Sequence, residues 1–412
     1  MPVRLLAAVA IWHALTSSVC AQTRTVTVSQ PTRLDWEFAA SAFGRDPDSA
    51  LPADYDSKRQ KYQLYIPAGY DKSRAWPLIV FISPGPGPLG WASFQPTCEA
   101  QGLFFCSPHK AGNETRGVLR TRIVLDMVDD VRRKFRIDPN QTFIGGFSGG
   151  GRMSCSIGFA LPDIFAGVIP VCGTNPIRTE PWLLHRLVDR TSVAFVTGER
   201  DKNRRETEVW MTPWLQDVDV RTRLWVVPGM GHDIPGPEVM NEVLAWLQDD
   251  LQRRQDDARL RPQLNLQFDE ALRGDSQAER LLAAGREEIR HQERLWRGVA
   301  IFQGIARRWP NSPAAGESRT DLMTMLANPE FATTVAQQRL EDHSKSFKAQ
   351  ARGFERMGNY PKAIEVWETL ARNHSDAPVA DEARAEARRL KELKATSPPA
   401  SVRIEKKKRT SK

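Results

Sequence analysis

No stretch of this chain holds the twenty or so consecutive apolar residues that a membrane-spanning helix needs. Its one long apolar run, Leu5 to Leu15, is too short to cross a bilayer. It follows Arg4 and leads into Ser17, Ser18, Val19, Cys20 and Ala21, which fits a cleavable export signal over residues 1–21 and a secreted or periplasmic destination. Metal-ligand clusters, a Gly-rich phosphate loop and a dinucleotide fingerprint are all missing, so neither a metal nor a cofactor is expected. A uniform basic excess is missing as well. Of the net charge of +8, residues 395–412 supply +5 through Arg403, Lys406, Lys407, Lys408, Arg409 and Lys412 against Glu405. That pattern reads as a solvated basic tail, or a weak tether to an anionic surface, and not as a nucleic-acid-binding body.

Cysteine is scarce, at five residues in 412. Cys98, Cys106, Cys155 and Cys172 would survive removal of the signal, and an even count in an oxidising compartment permits two disulfides. Sequence proximity favours Cys98–Cys106 with Cys155–Cys172, and buried free thiols are the open alternative.

With 41% hydrophobic and 26% charged residues, what remains suits two or three folded domains. Residues 22–57 hold Pro31, Pro47 and Pro52 with few apolar runs and read as an extended lead-in. Over residues 58–254, short β-branched or apolar runs alternate with longer helical patterns, which predicts an α/β domain with a mostly parallel sheet and helices on both faces. The expected strands are 62–66, 78–82, 103–107, 142–146, 167–171, 193–197 and 222–227. Helices are expected at 116–135, 149–161, 181–188, 203–215 and 237–252, with Asp138-Pro139-Asn140 as a turn. Residues 255–394 lack strand signals and are rich in Ala, Arg, Glu and Leu. There, a shift of 65 residues lays Ala306, Arg307, Pro313, Ala315, Glu317 and Arg319 over Ala371, Arg372, Pro378, Ala380, Glu382 and Arg384. The pattern, with Gly358-Asn359-Tyr360-Pro361-Lys362-Ala363, resembles tetratricopeptide helix-turn-helix repeats and implies a groove for a protein partner, plain domain cover being the alternative.

Chemistry concentrates at Gly146-Phe147-Ser148-Gly149-Gly150, set between an apolar strand and a helical segment. A sharp strand-to-helix corner lifts a serine hydroxyl above the sheet and crowds its neighbours, which must then lack a β-carbon. Such a serine needs a base and an acid further along the chain. His232, in Pro228-Gly229-Met230-Gly231-His232-Asp233, lies in the loop after the strand 222–227. Asp201 follows the strand 193–197 in Gly198-Glu199-Arg200-Asp201, and Glu199 is its rival. Asp217 and Asp219 lie farther along, and His109 is kept as a pocket-lining residue because it precedes the serine.

Residues 60–253 resemble the α/β-hydrolase superfamily, in particular secreted esterases similar to polyhydroxybutyrate depolymerases and to feruloyl or acetyl-xylan esterases. The resemblance is carried by Tyr65-Ile66-Pro67-Ala68-Gly69-Tyr70 before Pro77-Leu78-Ile79-Val80-Phe81, by the serine corner, by Thr197-Gly198-Glu199-Arg200-Asp201 and by Gly231-His232. It implies that Ser148, Asp201 and His232 are nucleophile, acid and base for a small or polymer-linked ester substrate. One feature departs from that family. Where such enzymes carry His-Gly after the strand 78–82, this chain has Ser83-Pro84-Gly85-Pro86-Gly87-Pro88. Proline has no N–H to offer an oxyanion, so of these residues Ser83, Gly85 and Gly87 alone can supply a second donor beside Gly149, and Gly85 is the one expected. A prolyl-oligopeptidase-like peptidase is disfavoured because no propeller domain is present, and an exported binding scaffold with a degenerate hydrolase domain is the reading of a different class. Since every strand and candidate site residue lies before residue 258, a chain of residues 22–258 is expected to fold alone and act on small esters.

Overall fold

The computed structural model describes residues 23–43, 51–264 and 273–396; the expected export signal and all but the first two residues of the basic tail lie outside them. Eight strands form one sheet in the order β1-β2-β4-β3-β5-β6-β7-β8. They are β1 (Arg24–Thr27), β2 (Lys61–Tyr65), β3 (Trp76–Ile82), β4 (Phe104–Pro108), β5 (Ile137–Phe147), β6 (Gly167–Val171), β7 (Ser192–Gly198) and β8 (Arg221–Val227). β2 runs antiparallel to both β1 and β4, and every other neighbouring pair is parallel.

Successive residues of a strand point to opposite faces, and β3 feeds two separate cores accordingly. Leu78, Val80 and Ile82 pack with α1 (Trp36–Ala40), α3 (Gly117–Lys134), α4 (Gly149–Ala160), α5 (Pro181–Arg190) and α6 (Thr212–Asp217). Ile79 and Phe81 pack on the other face with α2 (Trp91–Gln101) and α7 (Pro237–Gln248). Burial on both sides explains the continuous apolar runs.

Within the expected lead-in, the described residues 23–43 and 51–57 do more than lead in. Residues 24–27 form the edge strand, and the segment after them is fastened to a ridge of buried carboxylates on α3. Asp130 accepts from Ser29 N (2.8 Å) and Tyr62 Oη (2.6 Å), Asp126 from Thr32 N (2.8 Å) and Tyr55 Oη (2.6 Å), and Asp129 from Arg33 N (2.8 Å). Polar, proline-bearing sequence is held here by hydrogen bonds to another element, which no local pattern encodes. Asp138-Pro139-Asn140 likewise sits inside β5, as an irregularity at which the β3–β5 register shifts between Trp76 and Leu78. Its turn chemistry persists, with Asn140 N donating to Asp138 Oδ1 at 2.8 Å.

Beyond α7 the described chain is helical: α8 (Leu251–Leu260), α9 (Gly274–Ile289), α10 (Leu295–Arg308), α11 (Pro313–Leu326), α12 (Pro329–Arg356), α13 (Tyr360–Asn373) and α14 (Pro378–Thr396). The two matching sequence segments fall on the pairs α10/α11 and α13/α14, with the 28-residue α12 between them.

These helices share their core with the sheet region. Trp182 and Leu183 of α5 belong to the same apolar cluster as Leu281, Val299, Phe302 and Ile305 of α9 and α10. Gly304 sits so close to Trp182 that a β-carbon there would stand 2.5 Å from the indole. On α12, Ala349 packs into the sheet-side core, and Phe354 lies 5.9 and 6.1 Å from the rings of Trp210 and Trp214. A buried charge network crosses the same seam. Arg186 meets Asp163 (2.5 Å) and Asp257 (3.2 Å), Arg261 meets Asp257 and Glu288 (2.5 Å each), and Arg297 pairs with Asp189. Buried guanidinium groups need such partners, because desolvation without them is costly.

Candidate active site

β5 ends at Phe147, and the chain turns into α4 through Ser148, whose backbone takes φ 54° and ψ −115°. A positive φ is unusual for a residue with a β-carbon and is costly unless its surroundings enforce it. Here Ser148 N is tied to Val171 O at 2.7 Å. The glycines are forced by contact: a β-carbon on Gly146 would stand 2.4 Å from the Gly150 backbone, and one on Gly150 1.9 Å from Ile82 O.

The structure brings the three predicted side chains into one line. His232 Nε2 lies 2.9 Å from Ser148 Oγ, and its Nδ1 lies 2.7 Å from Asp201 Oδ1. The carboxylate assigns Nδ1 the proton, which leaves Nε2 as the acceptor for the serine hydroxyl. Asp201 is buried. Burial pushes its pKa up, but hydrogen bonds led by those from Asn203 N, His232 and Thr197 outweigh that and hold the carboxyl below its ordinary value. Thr197 Oγ1 donates to Oδ2 at 2.8 Å and Asn203 N to Oδ1 at 3.0 Å.

The loop that carries His232 is clamped by the loop that carries Asp201. Arg200 N donates to Met230 O (2.9 Å), and Gly229 N donates to Glu199 Oε2 (2.8 Å). Glu199, the rival acid, is thus placed as a loop clamp. Gly198 allows this approach, since a β-carbon there would stand 2.3 Å from Gly231 O. Asp217 and Asp219 face α12 instead, through Arg356 (3.7 Å) and Lys345. His109 lines a separate cavity of about 390 Å³ with Arg59, Lys61, Pro86, Gly87 and Lys110.

All four cysteines in the described residues are free and buried. Cys172 was not singled out from the sequence as part of the site. It lies beneath the acid with φ 55°, and its thiol donates to Asp233 O at 3.3 Å. Its Sγ, an Asp201 oxygen and a His232 nitrogen lie within 4.8 Å of one another, the spacing of a metal-binding trio. Burial, followed by the Asp201 charge, pushes the thiol up to about 12, and the imidazole is spanned between Asp201 and Ser148.

On the other side of the serine, Gly149 opens α4. Gly85, expected as the second oxyanion donor, has its N–H turned back onto Ser83 Oγ at 3.0 Å.

A sheet of this order, with Ser148 at the corner after the central β5 and Asp201 and His232 on the loops after β7 and β8, has the α/β-hydrolase fold. No protein-family profile matches the chain. Two curated proteins match short stretches. Poly(3-hydroxyalkanoate) depolymerase C of Paucimonas lemoignei is 34% identical over 62 residues, 15% of this chain and 15% of its own length. Poly(3-hydroxybutyrate) depolymerase of Ralstonia pickettii is 34% identical over 76 residues, 18% of this chain and 16% of its own. The chain therefore spans about one sixth of the curated relatives it matches. Solved structures similar to it include a thermostable esterase (22% identity, 46% of this chain and 59% of that one, TM-score 0.37). Another is FphF, a fluorophosphonate-binding serine hydrolase of Staphylococcus aureus (12% identity, 55% and 98%, TM-score 0.39).

Proposed function

We propose that this protein is a serine hydrolase that cleaves carboxylic esters through an acyl-enzyme. Ser148 Oγ attacks the ester carbonyl carbon while its proton passes to His232 Nε2, and the carbonyl π pair moves onto oxygen to give a tetrahedral oxyanion. Collapse expels the alcohol oxygen, which takes the proton from His232. Water then repeats the sequence on the acyl-enzyme, releasing the acid and restoring Ser148. Asp201 holds the imidazole in the required tautomer and stabilises the imidazolium, and the Gly149 N–H is one donor to the oxyanion.

The observation that carries this reading is the unbroken chain Asp201–His232–Ser148, with contacts of 2.7 and 2.9 Å, at a strained strand-to-helix corner. A polymer-linked ester is the substrate we favour, because both curated relatives are named as depolymerases of poly(hydroxyalkanoate) type. An export signal over residues 1–21 and partner binding by tetratricopeptide-like repeats in the C-terminal helices complete the proposal.

The test combines a fluorophosphonate probe with turnover of a p-nitrophenyl ester. The wild-type protein is expected to be labelled and to turn over. Ser148→Ala is expected to do neither, while its stability stays within about 1 kcal/mol. An unlabelled, inactive wild-type protein would favour the binding-scaffold reading.

A further inference from the structure

The loop after β3 is poor in donors for an oxyanion, with N–H groups on Ser83, Gly85 and Gly87 alone among residues 83–88. Pro84, Pro86 and Pro88 have no N–H, and that of Gly85 is spent on Ser83 Oγ. The loop is instead clasped by the segment after β4: Lys110 N donates to Pro86 O (2.6 Å) and Asn113 N to Pro84 O (2.8 Å). Gly112 packs so tightly on Gly85 that a β-carbon there would stand 2.6 Å from the Gly85 carbonyl.

That clasp brings the Asn113 carboxamide against Gly149, the residue after the nucleophile. A β-carbon at position 149 would stand 1.9 Å from Asn113 Oδ1 and 2.9 Å from its Nδ2. Arg120 Nη1 donates to Oδ1 at 3.3 Å. With its oxygen so engaged, the amide keeps its NH₂ group as the free end, and an NH₂ group is what a developing oxyanion requires.

Arg120 itself calls for an explanation. It is 6% exposed, and its other bonds go to the carbonyls of Ala111 (2.7 Å) and Ser83 (3.3 Å). No carboxylate pairs with it among the described residues, and burial brings its pKa down to about 10. A buried, unneutralised cation is expensive to keep. Placed behind an amide, it polarises that amide toward stronger donation and meets a negative charge only when one forms beside Ser148.

We propose that Asn113 Nδ2 is the second oxyanion donor, beside the Gly149 N–H, and that Arg120 is the positioning residue that aims it. This rests on Ser148 being the nucleophile.

The experiment measures kcat and KM on a p-nitrophenyl ester, affinity for a trifluoromethyl ketone that forms the tetrahedral adduct, and thermal melting, for Asn113→Ala and Asn113→Asp beside wild type and Ser148→Ala. Asn113→Ala is expected to lose about 10²–10³-fold in kcat with KM within about threefold, and to weaken the ketone by a similar factor. Asn113→Asp keeps the shape and strengthens the bond to Arg120, so melting stays level or rises while kcat falls at least as far. Arg120→Lys should fall between wild type and Asn113→Ala in ketone affinity with KM unchanged, which a purely structural arginine would not produce. If wild type turns over, Ser148→Ala is inactive and Asn113→Ala or Asn113→Asp stays within about threefold of wild type, the assignment is overturned and the hydrolase reading stands. An inert wild-type protein would overturn both.

Discussion

Asp201 Oδ1 and His232 Nδ1 are 2.7 Å apart across 31 residues of chain, and the same carboxylate oxygen accepts from Asn203 N. An amide at 201 brings no charge to stabilise the imidazolium, and with its NH₂ toward Nδ1 it forces the wrong tautomer. Asp201→Asn is therefore expected to lose on the order of 10³–10⁴ in kcat/KM, and Glu199→Gln, which still accepts from Gly229 N, to stay within about threefold. Steady-state kinetics on one soluble ester rank the two, and the reverse order would move the acid role to Glu199.

The two glycines after the serine should fail differently. At Gly149 a methyl group first meets the tip of the Asn113 side chain, so Gly149→Ala should fold normally and lose activity as the amide is displaced. At Gly150 the methyl group meets the backbone carbonyl of Ile82, which cannot swing aside. Gly150→Ala is expected to cost about 2–4 kcal/mol of stability. Melting curves beside kcat values separate the two effects.

Acid should loosen the seam between sheet and helices. Burial alone would raise the Asp189 pKa, but Arg297, Arg261 and Arg186 outweigh it and hold the carboxyl at about 2 against an ordinary 3.8. A depressed carboxylate pKa stabilises the fold fully above the unfolded value, and that stability is lost as pH falls through 3.8 toward 2. The contribution is about 2 kcal/mol. Melting temperature should drop over this window, and Asp189→Asn should flatten the drop while lowering stability at neutral pH.

Thiol reagents offer a fourth check. Burial raises all four cysteine pKa values, Cys155 to about 11 and Cys172 to about 12. Native protein should react with Ellman's reagent only on unfolding, and dithiothreitol should leave the melting temperature within about 1 °C. Release of two or more thiols only after reduction would establish a disulfide instead.

The convergence of Ser148, Asp201 and His232 was legible because each lies in the turn or loop after an apolar strand, where a short pattern marks a corner. Helix α2 was not: Pro96 lies inside it, and its buried face of Phe94, Thr97 and Cys98, at helical spacing, carries only one large apolar residue. Asn113 reads as one more polar loop residue until Gly149 is seen beside it. Trp182, Trp210 and Trp214 look like ordinary helix-face aromatics, because sequence does not say whether a partner lies twenty or a hundred and fifty residues away. For that reason a chain ending at 258 looked self-sufficient. It would uncover those three rings and strip Arg186 of its bridge toward Arg261 and Glu288, so we now expect such a chain to aggregate or melt early.

The shared seam also sets a timetable for synthesis. Trp182 and Leu183 leave the ribosome about a hundred residues before Leu281, Val299 and Phe302, the side chains that cover them. At ~5–20 residues per second the nascent sheet waits on the order of ten seconds with two large apolar side chains bare. The cover of the sheet is thus complete only once α10 and α12 are present.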